Sequence, residues 1–85
     1  MKIIFVGNLT SNLTPDELRV LFQSYGAVQG VEIVTDAHTR YSRGFAFVNM
    51  ANDLEALMAI AGLNGTSVWG KPLEVEEVRP KLQIQ

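Results

Sequence analysis

Two stretches of this chain, Ile4-Phe5-Val6 and Phe45-Ala46-Phe47-Val48, are apolar at every position, and in an extended backbone that means apolar on both faces. Successive side chains of a strand point to opposite sides of the sheet. Ile4 and Val6 therefore share one face while Phe5 takes the other, and Ala46 and Val48 oppose Phe45 and Phe47 in the same way. If the aliphatic set lies against a core, the rings face away from it. A chain of 85 residues has room for one domain and one modest core. The pattern thus points to a sheet covered on one side and bare on the other, with three phenylalanines on the bare side.

The remaining segments supply the cover. Residues 2–6 read as a first strand, closed by Gly7-Asn8. Thr14-Pro15-Asp16-Glu17 is a helix start: Thr14 can cap, Pro15 has the preset φ of a first helical position, and Glu17 completes a capping box. Leu18, Leu21, Phe22 and Tyr25 follow at helical spacing, with Gly26 placed to end the helix and Tyr25 expected to pack with Phe22. Residues 28–34 are β-branched and alternate around Glu32, a second strand with a bulge expected at Gly30. A polar connection over 36–42 leads into a third strand, 44–50, which forms a long-looped hairpin with the second. Asn52 or Asp53 starts a second helix whose Ala56, Ala59, Ile60 and Leu63 make a narrow face for close packing, and Asn64-Gly65 stops it. A short extra strand over 66–69, a turn at Gly70-Lys71-Pro72 and a last strand over 73–78 complete the domain. Met50 and Met58 are expected as core filler, and Trp69 as a cap over the second helix.

The order β-α-β-β-α-β is that of the α+β, ferredoxin-like split βαβ: four antiparallel strands with both helices on one face. The domain is expected over residues 1–80, with 81–85 a C-terminal extension. In the last strand Leu73 and Val75 should point inward. That leaves Glu74 and Glu76 on the open face near Glu32.

Composition narrows the functions. There is no cysteine, so disulfides and thiolate metal sites are excluded, and the single histidine, His38, cannot hold a metal unaided and reads as alone on a loop with no acid placed to orient it as a catalytic base. The stretch Gly7-Asn8-Leu9-Thr10-Ser11-Asn12 has no Gly-Lys-Ser/Thr signature of a phosphate loop. Hydrophobic residues make up 47% and charged residues 19%, the balance of a globular chain, and no run approaches the ~18 apolar residues of a membrane span. The start of the chain does not read as a secretion signal, so a cytoplasmic, non-enzymatic, monomeric protein without cofactor is expected. The net charge of −2 opposes one reading of the bare rings, because nucleic-acid binders ordinarily carry a positive field.

Arg43-Gly44-Phe45-Ala46-Phe47-Val48-Asn49 nevertheless resembles the octapeptide of the RNA recognition motif family at seven of its eight positions; Met50 stands where an aromatic is usual. Ile4-Phe5-Val6-Gly7-Asn8-Leu9 is similar to the family's hexapeptide. Leu18-x-x-Leu21-Phe22-x-x-Tyr25-Gly26, Ala59-Ile60-x-x-Leu63-Asn64-Gly65 and Leu73-x-Val75 before Arg79-Pro80 extend the likeness over nearly the whole chain. The resemblance implies single-stranded RNA as partner. Phe5 and Phe45 would each stack on a base, Phe47 would pack against the sugars between them, and Arg43 would pair with a phosphate. Asn8, Arg79 and the backbone from Glu76 to Val78 would add secondary contacts, and Tyr41 and Arg40 on the loop would extend the surface.

Arg40 departs from the family pattern, standing where a glycine usually makes the turn. Glu32, Glu74 and Glu76 would repel phosphates, so the expected affinity is modest, on the order of micromolar or about −8 kcal/mol. For Arg43 the bland alternative is a surface salt bridge with Glu32 or Glu76. His38 reads as a solvated loop residue, and Glu74, Glu76 and Glu77 as a solvated edge. A protein partner on the same open sheet, with its acids facing a basic surface, is the competing function.

Overall fold

The computed structural model describes residues 2–10, 13–35, 42–68 and 70–78, with the backbone alone at 35, 42 and 43. Its elements follow the expected order: β1 (Lys2–Gly7), α1 (Pro15–Gln23), β2 (Val28–Thr35), β3 (Ser42–Met50), α2 (Asp53–Leu63), β4 (Ser67–Val68), β5 (Lys71–Pro72) and β6 (Glu74–Val78). The main sheet is antiparallel with strand order β2-β3-β1-β6, so β1 and β3 are central. Both helices pack on one face of it.

The helix starts are those written in the sequence. Thr14 accepts from the Glu17 backbone N–H at 3.2 Å, and the Glu17 carboxylate accepts from the Thr14 N–H at 2.9 Å, a complete capping box with Pro15 in the first turn. Each such cap contributes about 1 kcal/mol. Asn52 caps α2 by accepting from the Glu55 N–H at 2.9 Å. At the other end of α2 the Asn64 carboxamide accepts from the Val75 N–H at 3.0 Å and ties the helix terminus to β6.

The core is the aliphatic set of the strands closed by the helices. Ile4, Val6, Ala46, Val48, Met50, Leu73 and Val75 are buried against Leu18, Phe22, Ala56, Ala59 and Leu63, with Leu9 and Leu13 filling one end. A fully buried Phe or Leu contributes roughly 1.5–3 kcal/mol by removal from water. On α2 the buried face is made by Ala56, Ala59 and Leu63, side chains small enough for close packing.

Three details differ from the sequence reading. Helix α1 stops at Gln23, ahead of Gly26, whose missing side chain serves packing: a Cβ there would collide with the Glu55 side chain of α2. Met58, expected in the core, is 55% exposed, because the buried stripe of α2 runs through Ala56, Ala59 and Leu63 and turns Leu54, Leu57 and Met58 outward. Lys71–Pro72 is not a turn but the second strand of a small hairpin with Ser67–Val68, and Gly70, at φ 82°, takes the turn. The expected bulge at Gly30 is present as a register shift between Val28 and Gly30.

Candidate nucleic-acid interface

On the open face the register lines side chains up in rows across the four strands, since directly paired residues of antiparallel strands share a face. Glu32 pairs with Phe47, Phe47 with Phe5, and Phe5 with Glu76. The central row therefore reads acid, ring, ring, acid. One step along the strands, Phe45 pairs with Gly7 and Gly7 with Glu74. One step the other way, Gly30, Asn49, Ile3 and Val78 form a row.

The three rings form a single cluster rather than three isolated surface residues. Centroids lie 5.9 Å apart for Phe5 and Phe45, 6.0 Å for Phe5 and Phe47, and 6.2 Å for Phe45 and Phe47. Such pairs add about 0.5–1.5 kcal/mol beyond area burial. All three are half-buried. The planes of Phe5 and Phe45 are tilted by 33°, whereas Phe47 stands edge-on to both, at 62° and 83°. Gly7 makes this arrangement possible. The Phe5 ring lies over it, and a Cβ on Gly7 would stand 2.9 Å from Cε2 of Phe5 and 3.0 Å from Cζ.

Glu32, Glu74 and Glu76 are exposed around the rings. Glu77, grouped with them on sequence, belongs elsewhere: it pairs with Ile4 in register and takes Lys2 as an ion-pair partner at 2.8 Å. Asn8 follows β1 with φ at 62°, a left-handed conformation that asparagine tolerates, and its Nδ2 donates to the Pro72 carbonyl at 2.7 Å. The carboxamide thus braces the β5 segment against the end of β1. Val78 is 37% exposed at the edge of the open face. Arg43 lies within β3, but its side chain is outside the described residues, as are Arg40, Tyr41, Arg79, His38 and Trp69.

Sequence reasoning passed over Asn49, Ile3 and the spatial role of Gly30. Between the central row and theirs lies a depression of about 490 Å³ lined by Ile3, Gly30, Glu32, Phe47, Asn49 and Val78. Its signal was in the alternation itself: Asn49 has the same parity as Phe45 and Phe47, so it had to share their face.

A sheet bare on one side, carrying a ring cluster on its two middle strands, is the arrangement the sequence motifs implied. The sequence profile of the RNA recognition motif family matches residues 4–74. This chain belongs to the RNA recognition motif family. Among similar proteins, RbpF of Nostoc sp. (strain PCC 7120), named as a candidate RNA-binding protein, is 42% identical over 78 residues, 92% of this chain and 74% of its own. The crystal structure of the RNA-binding protein PG1 superposes with a TM-score of 0.89 at 38% identity, covering 95% of this chain and all of that one. A structure of the Sxl-lethal protein/RNA complex matches at a TM-score of 0.87 and 34% identity, over 95% of this chain and 48% of that chain. In this RNA recognition motif, as among its relatives, the fold is the ferredoxin-like α+β arrangement. No helix of the described residues is long and apolar enough to cross a membrane.

Proposed function

We propose that this RNA recognition motif binds single-stranded RNA on the open face of its sheet, without catalysis, by stacking bases on the cluster of Phe5, Phe45 and Phe47. The cluster is the observation that carries the reading: three rings within 6.2 Å of one another, held on the two central strands of an uncovered sheet. Every base has a π-face, and stacking on an aromatic side chain is worth about 1–3 kcal/mol per base. Splayed single-stranded bases also expose the edges from which sequence is read.

The ring planes fit the division of labour that the resemblance implies. Phe5 and Phe45 turn their faces in similar directions and would take one base each, while Phe47, edge-on to both, would pack against the sugars between those bases. Arg43 would hold a phosphate, with Arg40, Tyr41, Arg79 and the backbone of the edge strand β6 as further contacts. A cytoplasmic, monomeric protein goes with this reading.

The carboxylates at both ends of the central row weaken attraction to the backbone, so affinity is set by stacking and falls on the order of micromolar. Titration of a short single-stranded RNA by fluorescence anisotropy tests the proposal. Binding should weaken with salt at a slope of about −0.7 per phosphate contacted, and should be lost in the Phe5→Ala/Phe45→Ala double variant while circular dichroism stays native. Absence of binding at low salt would sink the reading and favour a basic protein partner for the same face.

A further inference from the structure

We propose that the depression beside the rings is a third base subsite, in which Asn49 and Glu32 select a base bearing an exocyclic amino group over uracil. This inference rests on the RNA-binding reading above.

The site exists because the row Gly30, Asn49, Ile3, Val78 has a gap in it. Gly30 contributes no side chain, and a Cβ built there would meet nothing within 4 Å. The resulting volume of about 490 Å³ lies within the range of small-ligand clefts, about 300–1,000 Å³. Ile3 and Val78, 41% and 37% exposed, supply apolar walls, and Phe47 leads into it from the ring cluster. A base continuing the strand past Phe47 would meet apolar surface on its faces.

What its edge would meet is Asn49. The Oδ1 atom of Asn49 is buried and has no hydrogen-bond partner among the described residues. Buried polar groups are nearly always paired, and an unpaired one in a native fold calls for an explanation. The torsion that orients a carboxamide is broad, so a turn about Cβ–Cγ, which exchanges Oδ1 and Nδ2, would bring the oxygen to face the depression. It asks for a donor. Glu32, exposed and paired in register with Phe47, adds carboxylate oxygens at the rim. Both groups then accept.

Two acceptors discriminate among bases. The amino groups of adenine, cytosine and guanine donate hydrogens to such a pair. Uracil offers one ring N–H flanked by two carbonyl oxygens, which would confront the Glu32 carboxylate. Specificity then comes from both sides, like-polarity contacts working against the wrong base while the two acceptors favour the right one.

Cytosine and uracil octamers test the effect, since both are pyrimidines of the same size and differ only along one edge, at the amino-bearing position and at the adjoining ring nitrogen. The full chain should bind C8 about tenfold more tightly than U8, as expected from one discriminating edge contact. Asn49→Leu removes the acceptor and should bring the ratio below about twofold with U8 affinity retained. Gly30→Val fills the depression from a position with open space and a β-compatible backbone, and should abolish the preference in the same way even where Asn49→Leu perturbs folding. Equal affinity for C8 and U8 in the parent chain, or a preference that survives Gly30→Val, would overturn the subsite while leaving the stacking site standing. Failure of the parent chain to bind either octamer at low salt would overturn the RNA-binding reading and this subsite with it.

Discussion

The ring of Phe5 occupies the space that a side chain on Gly7 would need. With Cε2 and Cζ of Phe5 only 2.9 and 3.0 Å from the position of a Gly7 Cβ, any larger residue there must lift the ring off the sheet. Gly7→Ala is therefore a stacking mutation that leaves every aromatic in place. RNA affinity should fall by about 1 kcal/mol, roughly fivefold, since part of one stacking contact is lost. Anisotropy titrations beside a urea melt would show it, and unchanged affinity would mean that the orientation of Phe5 does not matter to binding.

Phenylalanines on the two faces of the sheet should separate binding from stability. Phe22 is fully buried beneath the sheet, and Phe22→Ala should cost about 3–5 kcal/mol through lost transfer energy and the cavity left behind. Phe5→Ala opens no cavity in the core. It should cost far less in urea unfolding and instead remove about 1–3 kcal/mol of RNA binding. A Phe5→Ala variant as unstable as Phe22→Ala would show that the ring cluster is part of the core.

Removing charge from the β6 side of the platform should strengthen binding. Glu74→Gln/Glu76→Gln leaves the register and the rings unchanged but withdraws two exposed carboxylates from beside them. The expected gain is about 0.5 kcal/mol per charge at low ionic strength, shrinking as the Debye length falls from about 10 Å at 0.1 M salt to about 3 Å at 1 M. A gain that persists at high salt would point to a direct contact rather than to repulsion.

Asn64 joins the end of α2 to β6 through one hydrogen bond from the Val75 N–H. Val75 is buried, so Asn64→Ala leaves a shielded donor without its acceptor and should lower stability by about 1–3 kcal/mol. Hydrogen exchange at the Val75 amide would report the loss directly. An unchanged exchange rate would show that another group takes up the donor.

The framework was legible because its signals are local. A capping box, an alternating strand and a helical stripe each depend on residues a few positions apart, and Thr14, Glu17, Ile4 and Phe22 all stand where those patterns put them. The ring cluster was legible for the same reason, once parity separated Phe5, Phe45 and Phe47 from their aliphatic neighbours. What parity could not show was distance across strands. That Glu32, Phe47, Phe5 and Glu76 form one row depends on register, which a bulge at Gly30 shifts by a residue. Met58 was misread because α2 is apolar on most of its circumference, so hydrophobicity alone did not say which side was covered. Asn49 was overlooked because a lone asparagine in a strand carries no motif; only its unpaired oxygen makes it notable.

The acid, ring, ring, acid row has a kinetic consequence. The carboxylates flanking the rings oppose the approach of phosphates, and an encounter without electrostatic steering proceeds at about 10⁵–10⁶ M⁻¹s⁻¹. With a dissociation constant on the order of micromolar, complexes would then dissolve within about 1–10 s. Occupancy on any transcript would follow the local abundance of suitable single-stranded segments and turn over within seconds, so that the domain redistributes among transcripts as fast as their pool changes.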